Sequence, residues 1–517
     1  MKHRRHRFLA LILIICLLMT TGCGTFQTPI SDGVNESSVC LVREDWADDV
    51  KSSLNELMAT YGKAGTAPAD SPYAVFDFDN TSSIFDVEEQ LAVYQLQVMA
   101  FALQPDELRK VLLSGVTDVD RDLTDFGYGG SSLNDWVDDI EYAYGALWDE
   151  YGPFTAKGVD ADKLAEMQAD PFWKEFSTKM RALYSLVYDA QSASIAYPWV
   201  TYWFTGMTEE EVYELSKEAF AAYMDVDTSV VTWTSPKSIQ SRTGVVQYEW
   251  TSGIQVTENI RELWHALDTN GIDVWVCSAS CTGAIRAAID IFGLHDDCTG
   301  ILAMTNKKDI NGRYLAEYDA ESGFGFYANK DGSWTRMERP TKAQTQGVGK
   351  VTAIENAISP EYNNKGPIAG FMDSTGDFNF CTEFETLRLV VCFNRANRKV
   401  TDGGGLIAEL AVYQKETLGY DLKKANDAGD TFYVLQGRDE NGRRTLRSSN
   451  KTILFGSEEE TLFKNADNDA QLQKMIDDRM TTEDILDYWS LKSIAGENSF
   501  EFDSGFLTEY AGYHSHP

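Results

Sequence analysis

Two aspartates separated by one residue, Asp77 and Asp79, follow an apolar run of strand character, Ala74-Val75-Phe76, and Thr81 lies two positions further on. Side chains of a strand alternate between faces, so carboxylates at i and i+2 point the same way. Like charges held that close are costly, and the usual resolution is a divalent cation together with a proton-transfer role for one acid. A polar strand end entering a turn, where Asp and Asn are common, is the plainer reading of the same residues. Partners elsewhere in the chain decide between the two. Ser278 ends a second apolar run, 272–277, and Ala279 and Ser280 lead into a helix that Thr282 can cap. A strand, a serine and a helix start make a phosphate-binding geometry. Lys350 opens a further helix after Gly347-Val348-Gly349, with Lys342, eight residues upstream, as its competitor for a phosphate-facing role. A third apolar run, 367–372, ends in Asp373-Ser374-Thr375-Gly376-Asp377.

The elements that must position these groups follow from periodicity. Trp46, Val50, Leu54 and Leu57 recur at helical spacing before the first strand. From residue 82 to about 253 the signals are mostly helical: 87–101 and 161–188 are apolar-periodic, and 207–223 opens on Thr208-Glu209-Glu210-Glu211, an acidic first turn. That stretch holds the densest aromatics, including Trp136, Tyr142, Tyr144, Trp173, Tyr197, Trp199 and Trp203, most of them expected in a core and a few able to line a pocket. Strand and helix then alternate from Glu258, with helix 258–270, strand 272–277, helix 282–292 and a final strand at 387–393. Alternation of this kind implies a parallel sheet with its ligand at the carboxyl ends of the strands. Two hairpin turns, Asp309-Ile310-Asn311-Gly312 and Asn329-Lys330-Asp331-Gly332, mark a β insertion at about 299–341. The acid spacing there does not meet that of an EF-hand. Beyond 401 the signals thin to a hairpin near Asp439-Glu440-Asn441-Gly442 and helices near 471–477 and 482–493.

At 517 residues, 43% hydrophobic and 24% charged, the chain has a globular composition with room for two or three domains. A net charge of −35 argues against a nucleic-acid partner, since phosphate backbones are bound by clustered Lys and Arg. Residues 1–7 are basic, 8–18 form an apolar run too short for a comfortable membrane span, and Thr20-Thr21-Gly22-Cys23 follows. This resembles a bacterial lipoprotein signal in which Cys23 is lipidated, with Thr20 where an aliphatic residue is usual. Plain secretion and an uncleaved anchor are the other outcomes, and all three imply export. Six cysteines remain beyond Cys16 and Cys23, and none shows zinc-ligand spacing with histidines.

Three strand ends and one helix start therefore carry polar chemistry in a fixed order. In this the chain resembles the haloacid dehalogenase-like (HAD) hydrolases, whose motifs are a strand ending DxD with Thr, a strand ending in Ser or Thr, a Lys at a helix start, and an acidic pair such as DxxxD. All four occur in order over about residues 73–395, with Met372 where Gly often precedes the first acid. The resemblance implies an α/β fold, a Rossmann-like parallel-sheet core with a large, mainly helical cap inserted after the first motif and a C-terminal extension. The boundaries expected are signal 1–23, tether and helix 24–65, core 66–81 and 254–400, cap 82–253, and extension 401–517.

The resemblance also implies the roles. Asp77 would be the nucleophile that forms an aspartyl-phosphate, and Asp79 the acid that protonates the leaving alkoxide and then activates water. Ser278 and the following amides, that of Ala279 included, would hold the phosphoryl oxygens, and Lys350 would neutralise phosphate and nucleophile. Mg²⁺ would be held by Asp77, the main-chain carbonyl of Asp79, Asp373 and Asp377. The acid at 79 favours a phosphatase or phosphotransferase over dehalogenases, which lack it, and P-type ATPases, which carry Thr. Within the superfamily the run FDFDNTSSIFDVEEQ, the exported location and the aromatic insertion are similar to bacterial phosphorylcholine phosphatases. Their aromatic and acidic pocket suits a quaternary ammonium through cation–π attraction. Glu141-Tyr142-Ala143-Tyr144 resembles their Glu-Tyr-Tyr element with Ala143 in the middle, and a core helix face is the other use for those tyrosines. The activity implied is an exported, membrane-anchored, Mg²⁺-dependent phosphomonoesterase acting on phosphorylcholine or a similar small phosphomonoester. The alternatives are a phosphotransferase of the same superfamily and a non-catalytic surface-binding lipoprotein; the latter predicts loss of a motif residue, and none is lost.

Overall fold

The structure, a computed structural model, describes residues 39–321, 323–396, 403–462 and 470–489. The signal-like segment 1–23 with Cys23, the tether to residue 38, and the end of the last expected helix lie outside the described residues.

An eight-stranded sheet organises the described chain. Its strands are β1 (Tyr73–Phe76), β2 (Asp273–Cys281), β3 (Gly300–Met304), β4 (Phe324–Ala328), β5 (Trp334–Pro340), β6 (Ala369–Met372), β7 (Leu389–Phe393) and β8 (Phe432–Gln436). They lie in the order β8-β7-β6-β1-β2-β3-β4-β5. All pairings from β8 to β3 are parallel, and β4 and β5 close the far edge antiparallel. The fold is thus mixed α/β around a parallel-dominated sheet, compatible with a Rossmann-like arrangement.

Strands covered on both faces read as unbroken apolar runs, and these do. Ala74 and Phe76 share one face with Val274, Val276, Ile301, Phe371, Val391 and Val434. Tyr73, Val75, Trp275, Cys277, Leu302, Val390 and Leu435 share the other. Phe76 stacks on Phe371 with ring centroids 3.7 Å apart. The chain leaves β1 toward β2 and β3 on one side and later fills β6, β7 and β8 on the other. The carboxyl ends of β1 and β6 therefore flank a topological switch point, where such sheets bind ligands.

Between β1 and β2 come the helices Val87–Val98, Pro105–Leu112, Leu133–Tyr151, Ala161–Ala169, Pro171–Ala190, Ala193–Thr201 and Glu209–Tyr223, then an antiparallel ribbon of Ser229–Thr234 with Gln247–Ser252. The apolar-periodic stretch 161–188 holds two helices, because Pro171 cannot continue a preceding helix and instead starts the next, with Asp170 accepting from the Phe172 amide at 2.8 Å. Most of this segment has its own apolar cluster, including Phe101, Trp136, Tyr144, Phe176, Trp199 and Trp203. Its last helix differs: Val212, Leu215 and Phe220 join the sheet's cluster. That helix packs so closely on Thr282–Ile291 that a Cβ at Gly283 would lie 2.9 Å from Val212 Cγ1.

Two expectations about boundaries change. Both hairpin turns at 309–312 and 329–332 form, but the stretch 299–341 is no separate insertion, since it contains parallel β3, and β4 and β5 extend the main sheet. Turn residues are local and do not encode which sheet a hairpin joins. The sheet also runs past residue 400, because Phe432–Gln436 pairs parallel with β7 as its edge strand. Beyond it, Arg438–Asp439 pairs with Thr445–Leu446 and Thr452–Ile453 with Glu460–Thr461 in a small second sheet. Among the described residues no helix is long and apolar enough to cross a membrane. The six cysteines among the described residues are free thiols, Cys40 exposed and the other five buried.

Candidate active site

β1 ends against its neighbour with the Asp77 amide donating to Phe371 O at 3.0 Å, which carries the Asp77 side chain just past the sheet edge. The chain then turns tightly. Asn80 takes a left-handed conformation (φ 62°), and Ser82 Oγ returns to Asp77 O at 2.7 Å. Asn is among the few residues that tolerate that region. Asp77 is buried, and its Oδ1 accepts from Lys350 Nζ at 2.6 Å. The same ammonium donates to Asp377 Oδ1 at 2.6 Å. Asp373 completes the group, receiving Thr81 Oγ1 at 3.3 Å and Arg395 Nη1 at 2.9 Å.

Carboxylate oxygens of Asp77, Asp373 and Asp377 all lie within 4.8 Å of one another. Burial raises the pKa of Asp77, the Asp377 charge raises it further, and Lys350 offsets part of this. Burial also lifts Asp377. For Lys350 burial works against the charged form, but Asp377 and Asp77 outweigh it and hold the ammonium protonated. Three buried carboxylates, two of them sharing the Lys350 ammonium, offer a set of oxygen donors that could hold a hard metal ion. The Asp79 side chain is outside this cluster. Its Oδ1 accepts from the Val87 amide at 2.6 Å and its Oδ2 from Ser280 Oγ at 2.5 Å. Burial raises the Asp79 pKa, and the charges of Asp86 and Asp77 add to it.

A cavity of about 300 Å³ opens over these groups. Asp77, Asp79, Asp373 and Asp377 line its floor, with Ala279, Ser280 and Gln346 beside them. The register between β2 and β3 shifts between Cys277 and Cys281, and Ala279 and Ser280 at that irregularity line the cavity. Ser278 itself is fully buried behind the lining. Its Oγ accepts from the Ser280 amide at 3.1 Å, and its carbonyl accepts from Thr345 Oγ1 at 2.5 Å. The cavity face expected of Ser278 is thus presented by Ala279 and Ser280. Lys350 is 1% exposed and paired with Asp77 and Asp377, whereas Lys342 is exposed.

Glu141, Tyr142 and Tyr144 do not reach the cavity. They lie on the helix Leu133–Tyr151, where Tyr144 is fully buried and donates to Leu103 O at 2.8 Å. Glu141 pairs with Arg109, and Tyr142 is exposed with its ring edge-on to Phe172. Positions 142 and 144 lie about 200° apart around a helix, so one cannot face a ligand beside the other. The wall facing the acids is built instead by Tyr184 and Tyr188, Tyr197, Glu88, Glu89 and Arg181. Arg181 pairs with Glu89 and lies over the Tyr248 ring at 4.5 Å. The i, i+4 pair Tyr184 and Tyr188 was the available signal for a shared helix face. Arg395, two residues beyond β7, could have been found from the rule that strand carboxyl ends carry ligand groups.

No protein-family model matches the chain, and no curated protein matches it. Among solved structures, a conserved functionally unknown protein from Anaerococcus prevotii DSM 20548 is 25% identical, with a TM-score of 0.61 over 82% of this chain and 100% of that chain. A protein with unknown function from Bordetella pertussis Tohama I is 11% identical, with a TM-score of 0.30 over 63% of this chain and 90% of that chain. The first likeness places the overall fold in a second species, and neither brings an activity with it.

Proposed function

We propose that the chain is a phosphomonoesterase of the HAD-like superfamily, dependent on Mg²⁺, with Asp77 as nucleophile. The observation that carries this reading is the junction at Asp77. One carboxylate oxygen is held by a buried lysine that also holds Asp377, Asp373 stands within ligand distance, and a second acid lies two residues on, outside that cluster. Asp77 attacks phosphorus as the bond to the leaving oxygen breaks, giving an aspartyl-phosphate and an alkoxide. Asp79, protonated because burial and neighbouring acids raise its pKa, delivers its proton to that oxygen. It then takes a proton from the water that attacks phosphorus, which returns Asp77 to a carboxylate and releases phosphate. Lys350 stays charged throughout, and the Ala279–Ser280 segment faces the phosphoryl oxygens. A divalent cation held by Asp77, Asp373, Asp377 and the Asp79 carbonyl would neutralise charge shared by these acids and the phosphate.

The segment 82–253 serves as the cap in this reading, and its wall supports a cationic leaving group. Three tyrosines offer aromatic faces, Glu89 is paired with Arg181, and Glu88 gains negative charge as pH rises through about 8, which suits an ammonium alcohol such as choline, and the cavity admits only a small one. Export and a lipid anchor at Cys23 belong to the same proposal and rest on the N-terminal sequence. The test is phosphate release from phosphorylcholine and from p-nitrophenyl phosphate, with and without Mg²⁺, by wild type and Asp77→Asn. Release that needs Mg²⁺ and is abolished in Asp77→Asn is expected. Equal activity in the variant contradicts the reading, and cleavage of the aryl ester alone rejects choline while leaving the phosphatase.

A further inference from the structure

The loop that carries Asp77 and Asp79 is gripped from behind by a part of the chain that lies beyond the sheet's last strand. Arg438 is 1% exposed, and its Nη1 donates to the main-chain oxygen of Asn80 at 2.9 Å, its Nη2 to Asn80 Oδ1 at 3.3 Å. The other side of the guanidinium is fixed by Glu440, whose Oε1 accepts from Nε at 3.0 Å and from Nη2 at 2.6 Å. Glu440 is fixed in turn, its Oε2 accepting from the Phe455 amide at 3.2 Å. Asn80 stands between Asp79 and Thr81 in the left-handed region. Its peptide orientation therefore sets where the Asp79 carbonyl and side chain point and how Thr81 reaches Asp373.

A second arginine of the same hairpin holds the other end of the inserted segment. Arg444, also 1% exposed, donates from Nη1 to Thr228 Oγ1 and from Nη2 to Val226 O and Ile254 O, each at 3.0 Å. Gly253 is required beside it, since a Cβ there would lie 2.2 Å from Nη1. Thr228 closes the contact by donating from its amide to Gly442 O at 3.0 Å and from its hydroxyl to Glu440 O at 2.8 Å. Arg438 and Arg444 thus tie one small hairpin both to the Asp-bearing loop and to the connection through which residues 82–253 return to the sheet. A packing role alone needs no buried guanidinium, because apolar side chains fill such space at least as well. A planar fork with donors in fixed directions is what aligns a peptide group.

We propose that the hairpin Arg438 to Leu446 is a positioning element of the site, in which Arg438 holds the Asn80 peptide so that the Asp77–Thr81 loop keeps its aim at Asp373 and the divalent cation. Its effect on turnover rests on the phosphatase reading, but its effect on cation binding does not. Arg438→Ala and Arg438→Lys are therefore compared with wild type in two measurements, Mg²⁺ affinity by titration calorimetry and kcat and KM for p-nitrophenyl phosphate, with the folded fraction checked by circular dichroism. Folded Arg438→Ala is expected to bind Mg²⁺ at least about fivefold more weakly and to lose about 10- to 100-fold in kcat, the scale for a slightly misplaced reacting group, with KM within about threefold. Added guanidinium ion is expected to restore part of both, and the lysine variant, which lacks the fork, is expected to remain impaired. Wild-type Mg²⁺ affinity in a folded Arg438→Ala overturns the proposal. So does a loss that only follows the folded fraction and does not respond to guanidinium. Should Arg438→Ala not fold, Arg438→Lys takes its place; it keeps the charge but cannot hold both Asn80 and Glu440 with a planar fork, and unchanged Mg²⁺ affinity in it overturns the proposal equally. A wild type that binds Mg²⁺ yet releases no phosphate rejects the phosphatase reading and leaves the affinity comparison to judge Arg438.

Discussion

At the scale of single residues, the site divides into groups close in sequence and groups brought together by the fold. Asp77 and Asp79 were legible because their spacing and the apolar run before them are local facts, and Lys350, Asp373 and Asp377 because each follows a recognisable strand or helix start. The cavity wall was not legible. Glu88, Tyr184, Tyr188 and Tyr197 come from three helices, and nothing local to any one of them says that they converge. Local resemblance pointed to Tyr142 and Tyr144, which helical geometry sends in different directions. Glu88 supplies a pH test of the wall. Burial, followed by the charge of Asp86, pushes its carboxyl up to about 8, so it gains its charge as pH rises through that value. Attraction for a cationic leaving group should grow accordingly. The KM for phosphorylcholine is expected to fall between about pH 7 and pH 9, and Glu88→Gln should flatten that fall, whereas the KM for neutral-alcohol monoesters should not share it. The same slope in both proteins would remove Glu88 from substrate recognition.

At the scale of elements, the strands follow from composition and their neighbours from topology. β1, β2, β6 and β7 were expected within a few residues because doubly covered strands are continuous apolar runs. β8 was missed although Phe432-Tyr433-Val434-Leu435 is such a run, since it follows a long interval with no motif to anchor it. The sheet's centre also makes a measurable claim about stability. Phe76, one residue before Asp77, is fully buried and stacked on Phe371. Phe76→Ala should cost ~3–5 kcal/mol in urea unfolding, as for other buried aromatic truncations. A cost below about 1 kcal/mol would mean that this stack is not core packing of the usual kind.

At the scale of the whole molecule, the parallel sheet gathers buried acids at the carboxyl ends of its central strands while the rest of a chain of net charge −35 surrounds them. Asp77, Asp79 and Asp377 bind protons more tightly folded than unfolded, as does Glu88 with its value of about 8. Without a cation, the stability they lend is therefore full at pH below the ordinary carboxylate range and is lost as pH rises through each raised value, about 8 for Glu88. Mg²⁺ binds the ionised form, so the rise in Tm on adding it should be larger at pH 8 than at pH 5 in a thermal scan. An equal rise at both would argue against a cation among these carboxylates. The most direct test of the central claim is acid-quenched turnover followed by peptide mass spectrometry. A phosphoryl group should appear on the peptide containing Asp77, and with p-nitrophenyl phosphate, whose leaving group needs no proton, it should accumulate in Asp79→Asn, where water is no longer activated. Turnover by the wild type with that peptide unmodified, together with retained activity in Asp77→Asn, would contradict it.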